Sequence, residues 1–400
     1  MGNLHRMGSL SGGSTMVDFT SALYLGQRPL SVPFPPYLSV TTGKPAALYE
    51  PRLHQKVAQE VASRQGLERG LLAPSTLHLF WDVISTLGRS SAVLLDEGMY
   101  PIGRWGALRA MMQGMPVTLF SSDNIEGLDK FIYTYRQQNR TPWIITDGWD
   151  IAKGKPAPLD IYLKLLKSCR ESVLLVDDTQ AFGVLGRQPT ADFPYGSDGG
   201  GTLAYLSLKS PKIVAITSLA KGLGVPVAVL TGSEKRIRHY QQCSEIRVHT
   251  SPVSNLHAWA AWQSLETDRS IGNELREKLH QNVSLFRRTI QPIIPGGGWF
   301  SIQKLVLPNA RITFRLYNQL KSQGIRSLLL ANHQQPTVPE VAFCIRADHT
   351  AEAIMHTVRH IKRILNETSF HRKINNPSAH ESLTNTPINE SDPATIRFVG

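Results

Sequence analysis

Two stretches carry groups able to do chemistry together. Residues 173–186 read VLLVDDTQAFGVLG, an apolar run that ends in two adjacent carboxylates, Asp177 and Asp178. Burying a charge without a partner is unfavourable, so such a pair calls for solvent or for a positive group nearby. Residues 212–224 read KIVAITSLAKGLG, and here an apolar run leads to Lys221 among small residues. A lysine flanked by Ala220, Gly222 and Gly224 has room for something bulky on its amine. Partly desolvated, it becomes a useful nucleophile near neutral pH. Asp96 after VLL and Asp147 after WIIT close two more apolar runs in the same way.

The elements that must position these groups alternate along the chain. PRLHQKVAQEVASRQG puts Leu53, Val57 and Val61 on one helical face. Strands are expected at 91–96, 116–120, 143–147, 172–178, 212–218 and 226–232, with helices at 107–115, 128–138 and 159–169 between them. Short apolar strands alternating with amphipathic helices imply an α/β fold, a mostly parallel central sheet covered on both faces. In such sheets ligands sit at the carboxyl ends of the strands, where Asp96, Asp147, Asp177 and Lys221 all fall. From 253 a long helical stretch leads into a smaller α+β unit. The expected division is a flexible segment and arm over 1–48, a large domain over 49–252, a long helix and small domain over 253–370, and a disordered tail over 371–400.

Composition narrows the class. The chain has 400 residues, 41% of them apolar, and a formal net charge of +12. No Lys/Arg block with interleaved aromatics suggests nucleic acid, and no apolar run is long enough to span a bilayer. Three scattered cysteines, Cys169, Cys243 and Cys344, make no CxxC pair and suit a reducing compartment. A cytoplasmic protein is expected. The charge suits a phosphorylated or acidic partner.

VDDTQAFGVLG and TSLAKGLG together resemble the cofactor core of fold-type I pyridoxal-phosphate enzymes, most closely the α-oxoamine synthases. ALYLG (22–26), LLDEGMYPIGRWG (94–106), TDGWDIAKGKPAPL (146–159), PTVP (336–339) and ADHT (347–350) resemble further motifs of that group in the same order. The resemblance implies pyridoxal 5'-phosphate as cofactor, with Lys221 as its Schiff-base lysine and Asp177 beside its ring nitrogen. A carboxylate there keeps the ring protonated and electron-withdrawing. Ser75, Thr76 and Ser218 take the places of phosphate-binding groups, Tyr100 that of the residue stacked on the ring, and Gln180 that of a histidine bonded to the ring oxygen. Asp147 stands for a glutamate. Thr250 and Ser251 match a segment that reaches the neighbouring subunit's site, so a homodimer with shared sites is implied. Arg346 is the candidate clamp for a substrate carboxylate.

The implied reaction condenses an amino acid with an acyl thioester, through an external aldimine and a quinonoid carbanion. The donor would be acyl-CoA or an acyl group on an acidic carrier protein. Departures fall around the substrate: Val227-Ala228 replaces a glycine pair, Ile151 a serine, and PYGSDGGGTLAY is an extra glycine-rich stretch. EVAFCIRADHT offers Arg346 close to the group's arginine but out of alignment with it. An aminotransferase or C–C lyase, and a catalytically silent partner subunit, stay open as alternatives.

Overall fold

The apolar runs form a seven-stranded sheet. In the computed structural model its strands lie in the order Arg69–Ala73, Ala228–Gly232, Ile213–Ser218, Val173–Asp177, Thr141–Asp147, Ser91–Asp96, Val117–Phe120. Only Ala228–Gly232 runs antiparallel to its neighbours. Helices cover both faces, and for that reason Val173–Asp177 and Ser91–Asp96 are buried at every position. Leu53, Val57 and Val61 pack the helix Arg52–Gln65 onto the core. The structure describes residues 16–27, 33–36, 39–331 and 337–374, with side chains to residue 367.

The expected strands are present, their ends shifted by a residue or two. The expected helix at 107–115 instead spans Pro101–Met112, because Pro101 starts it at a position where a missing N–H does no harm. Arg69–Ala73 was not expected, being too short a run to show a period. The small domain holds a three-stranded antiparallel sheet, Ile302–Leu305, Glu340–Cys344 and Leu328–Leu330, on the helices Asn255–Ile290, Ala310–Ser322 and Ala351–Ile374. The last helix carries on past 371, where the tail was expected to start; the rest of that tail and residues 1–15 lie outside the described residues. No helix among the described residues is long and apolar enough to cross a membrane.

The arm is more than an overlay. Val17–Asp18 pairs in parallel with Ile325–Arg326, and Phe19, Tyr24 and Leu25 belong to the small domain's core. Trp149 of the large domain stacks on Phe300 at 4.7 Å, and Tyr24 meets Phe300 edge-on at 5.6 Å. The three aromatics weld the arm and both domains at one junction.

The extra glycine-rich stretch has a packing reason. Gly199 and Gly201 adopt φ +62° and +80°. A Cβ at Gly199 would strike the Arg276 guanidinium, and one at Gly201 the Asp178 carboxylate. Arg276 belongs to a buried ion cluster with Asp268 and Arg64. Glycine lets the backbone close over these groups, and the next residue's N–H, that of Thr202, donates to Asp178 at 2.9 Å.

Candidate active site

Four neighbouring parallel strands end in polar residues on one edge: Ser218, Asp177, Asp147 and Asp96. Asp147 and Asp177 are register partners, so their Cα atoms stand roughly 5 Å apart. Two carboxyls this close to each other, and taken out of water, resist double ionisation. Burial pushes both upward, and the charge on Asp177 drives Asp147 well above the usual carboxylate range. The Tyr100 backbone N–H, which donates to Asp147 Oδ2 at 3.1 Å, and Lys221 only partly offset this. Of the two, Asp147 is pushed further toward its neutral form and Asp177 less far.

Asp178 turns away from its neighbour, as successive strand residues must. It is fully buried, accepting from Thr202 N–H at 2.9 Å and from Gln65 Nε2 at 3.2 Å. Burial raises its pKa to about 7. Gln65 in turn reaches Thr217 and Thr231, so Asp178 ties the sheet to the first long helix. Asp177, by contrast, is hydrogen-bonded only by Thr179 among the described residues, whose N–H donates to Oδ1 at 2.9 Å. It faces Lys221, the cation that most opposes its rise.

Lys221 lies three residues past Ser218. Burial lowers its pKa, while Asp177, Asp147 and Cys344 hold it up. Its Nζ sits 5.9 Å from the centre of the Tyr100 ring. Tyr100, Asp147, Asp177 and Lys221 thus share one neighbourhood. Gln180 joins it from the loop after Asp177, with its Oε1 accepting from the Tyr24 hydroxyl at 2.6 Å. Ser218 is held there too, its N–H donating to Thr179 Oγ1 at 3.0 Å.

Ser75 and Thr76 open the helix Thr76–Ser85 at the same edge. Ala73, Ala228 and Ser218 are aligned across three strands, so the helix start lies about 10 Å along the edge from Ser218. Ser75 caps this helix by accepting from His78 N–H, and its Oγ also meets His78 Nδ1 at 2.7 Å. The ten-residue helix directs its N-terminal N–H groups toward that edge, a setting for phosphate.

Two sets of residues stand apart. Arg346 forks onto Asp348, with Nε to Oδ1 at 2.8 Å and Nη2 to Oδ2 at 3.3 Å. A substrate carboxylate must displace Asp348 to use that fork. Thr250 bonds back to Ile246 O at 2.8 Å, Ser251 is exposed, and neither contacts Lys221. Three members of the neighbourhood were not singled out from sequence. Thr179 lies between two residues that were. Cys344, whose thiol burial pushes up to about 12, interacts with Lys221 from a sheet of the other domain. Tyr24 lies inside the quoted ALYLG, and its signal was a tyrosine in an otherwise apolar run.

A cofactor ring fits this site. Asp177 is buried, faces the Lys221 cation, and has acceptor capacity that no described residue but Thr179 takes up by a hydrogen bond. A protonated ring nitrogen supplies the missing donor. Lys221, desolvated beside it, suits a Schiff base.

No protein-family model matches the chain. Among curated proteins it is 26% identical over 309 residues to the 8-amino-7-oxononanoate synthase of Hahella chejuensis, covering 75% of this chain and 72% of that one. To the enzyme of that name from Nitrosospira multiformis it is 29% identical over 224 residues, 54% of this chain and 52% of the other. The matched segment thus spans about half the length of several such relatives. Among solved structures, 8-amino-7-oxononanoate synthase from Francisella tularensis superposes with a TM-score of 0.68 at 19% identity, over 89% of this chain and 100% of that one. Serine palmitoyltransferase from Sphingomonas wittichii gives 0.74 at 15%, over 88% and 87%. A variant of that enzyme from S. paucimobilis, solved with a bound PLP–myriocin aldimine, gives 0.73 at 16%, over 88% and 87%. By fold this chain is a fold-type I α/β protein of the pyridoxal-phosphate type, and in sequence and structure it resembles the α-oxoamine synthases.

Proposed function

We propose that this chain is a pyridoxal 5'-phosphate-dependent transferase that joins an amino acid to an acyl thioester. One observation carries the reading. A buried carboxylate, Asp177, and a desolvated lysine, Lys221, face each other at the carboxyl edge of a parallel sheet, with a helix N-terminus beside them. The named relatives, 8-amino-7-oxononanoate synthases and serine palmitoyltransferases, favour acyl transfer over transamination or C–C cleavage.

When bound, pyridoxal phosphate supplies an electron sink next to the amino acid's α-carbon. Asp177 keeps the ring nitrogen protonated, which makes that sink effective. Lys221 Nζ would hold the cofactor through a Schiff base, and its amine, desolvated at this edge, would serve to move the α-proton. Ser75, Thr76, Ser218 and the helix N-terminus hold the phosphate. Tyr100 would cover the ring, while Asp147 fixes the Tyr100 backbone by accepting from its N–H. Gln180 would donate to the ring oxygen. Arg346 takes a substrate carboxylate in exchange for Asp348.

Exposed apolar side chains follow Tyr100 along its helix: Trp105, Leu108, Met111 and Met112, with Leu119 on the neighbouring strand. A second copy of the chain would cover this face, and Thr250 and Ser251 would then complete the partner's site.

The test is direct. The protein loaded with pyridoxal phosphate is reduced with borohydride, and the adduct is mapped by peptide mass spectrometry. The expected site is Lys221, and Lys221→Ala should leave no adduct. Free thiol should appear when an amino acid and an acyl-CoA are mixed with the holoprotein. An adduct on another lysine defeats the site assignment. Thiol release from no thioester in a broad panel defeats the acyl-transfer reading.

A further inference from the structure

Gln180 presents a problem that only its surroundings can solve. A carboxamide has an acceptor end and a donor end of nearly equal shape, and a half-turn about its last bond exchanges them. Beside the phenolic oxygen of a cofactor ring, the nitrogen end attracts and the oxygen end repels. A histidine protonated on the correct nitrogen has no such ambiguity. In this chain something else must hold the amide the right way round.

We infer that Tyr24 is that positioning residue: its hydroxyl takes the Gln180 oxygen, leaving the amide nitrogen as the donor to the cofactor. The inference rests on the cofactor reading above and adds to it a residue from the far end of the sequence. Tyr24 is fully buried and donates to Gln180 Oε1 at 2.6 Å, a short bond for two neutral groups. With the oxygen taken, the NH2 group points away from Tyr24. It donates to no other described residue. Burial also raises the Tyr24 hydroxyl well above its ordinary value of 10.0. It therefore stays a donor throughout the working pH range, and the pair does not titrate.

Tyr24 is itself held by shape. Its ring meets Phe300 edge-on at 5.6 Å, in the core shared by the arm and the small domain. The backbone around it is clamped as well: Ala347 N–H donates to Tyr24 O at 2.8 Å. A phenol fixed so firmly can impose an orientation on a half-buried glutamine. The reverse is not true.

The experiment is a double-mutant cycle on the holoprotein, with cofactor affinity and the pH profile of its visible absorbance as readouts. Tyr24→Phe keeps the ring and its packing and removes only the hydroxyl. Cofactor dissociation should rise roughly fivefold, the effect of one lost hydrogen bond, and the pH midpoint of the band should move. Gln180→Ala should weaken binding by a similar factor. Tyr24→Phe made on top of Gln180→Ala should add nothing, because the two act as one unit. Additive losses, or an unchanged affinity and band in Tyr24→Phe, overturn the inference. If the phenylalanine variant fails to fold, Gln180→Glu decides instead. A glutamate can still accept from Tyr24 but has no donor left, so it should bind cofactor more weakly than Gln180→Ala; binding as tight as the wild type overturns the donor role. Borohydride adducts at Lys221 in every variant show that the cofactor reading itself stands. No adduct in the wild type overturns both.

Discussion

At the junction of the first and the longest helix, every guanidinium nitrogen of the buried charges has a partner; at the carboxyl edge of the sheet the buried charges are left short. Asp268 sits between Arg64, whose Nη1 donates to Oδ2, and Arg276, whose Nη2 reaches both carboxylate oxygens at 2.7 and 2.8 Å. The remaining donors are taken by Leu265 O, Asp198 O, Gly183 O, Glu60 and Asn273. A cleft of about 310 Å³ opens beside this cluster, lined by Arg64, Asp268, Glu60 and Arg269, which are already paired with one another. At the sheet edge, two carboxyls share one lysine and few hydrogen bonds. A completed network is architecture; an incomplete one, held in place by a rigid sheet, is reserved for a ligand.

The contrast can be broken by four substitutions. Asp177→Asn strikes the incomplete site. It should retain the Lys221 adduct but lower kcat for thioester consumption by about a hundredfold or more, with little change in thermal midpoint. Asp268→Ala strikes the complete one. It strands two buried guanidinium groups and should destabilise the fold by about 3–5 kcal/mol in urea titration. Its kcat should stay near wild type at temperatures where it is folded. If the two variants trade effects, the division between architecture and reserve is wrong.

Asp178→Asn sharpens the comparison through pH. The folded pKa of Asp178, about 7, lies above the ordinary carboxylate value of 3.8. Its contribution to stability is then fully present below about pH 4 and is lost as pH rises through about 7. Asparagine cannot ionise, so this loss should be missing from the variant. At about 1.4 kcal/mol per unit, urea midpoints at pH 4.5 and 7.5 should differ less in the variant than in wild type. Asp147→Asn should have the smallest effect. A carboxyl pushed toward its neutral form, replaced by an amide that keeps an acceptor for Tyr100 N–H, should alter cofactor affinity by less than about threefold. A larger loss means that Asp147 carries charge.

Much of the frame was legible because buried strands announce themselves. VLLV at 173–176 and IVAI at 213–216 are apolar at every position, as only strands covered on both faces need be. The chemistry was legible where it sat at the ends of those runs. Asp177 and Asp178 could be told apart only through alternation; the partners of Asp178, Gln65 and Thr202, lie in distant segments and leave no local mark. The direction of Ala228–Gly232 was hidden, since an apolar run reads alike both ways. Arg346 looked free from sequence because nothing in EVAFCIRADHT says that its side chain curls onto Asp348 two residues later.

The pairing of Val17–Asp18 with Ile325–Arg326, and of Tyr24 with Phe300, has a consequence for the order of assembly. Residues 17–27 leave the ribosome long before the segment they dock against has been made. The large domain can fold around Asp177 and Lys221 while that segment still waits for its partner. On the proposed role of Tyr24, the Gln180 amide is turned to its working orientation only when the C-terminal sheet has formed and drawn the N-terminal strand in. A nascent or truncated chain would then hold its lysine and aspartate ready yet bind cofactor loosely. Tight loading would thus be a checkpoint for a chain synthesised through its small domain.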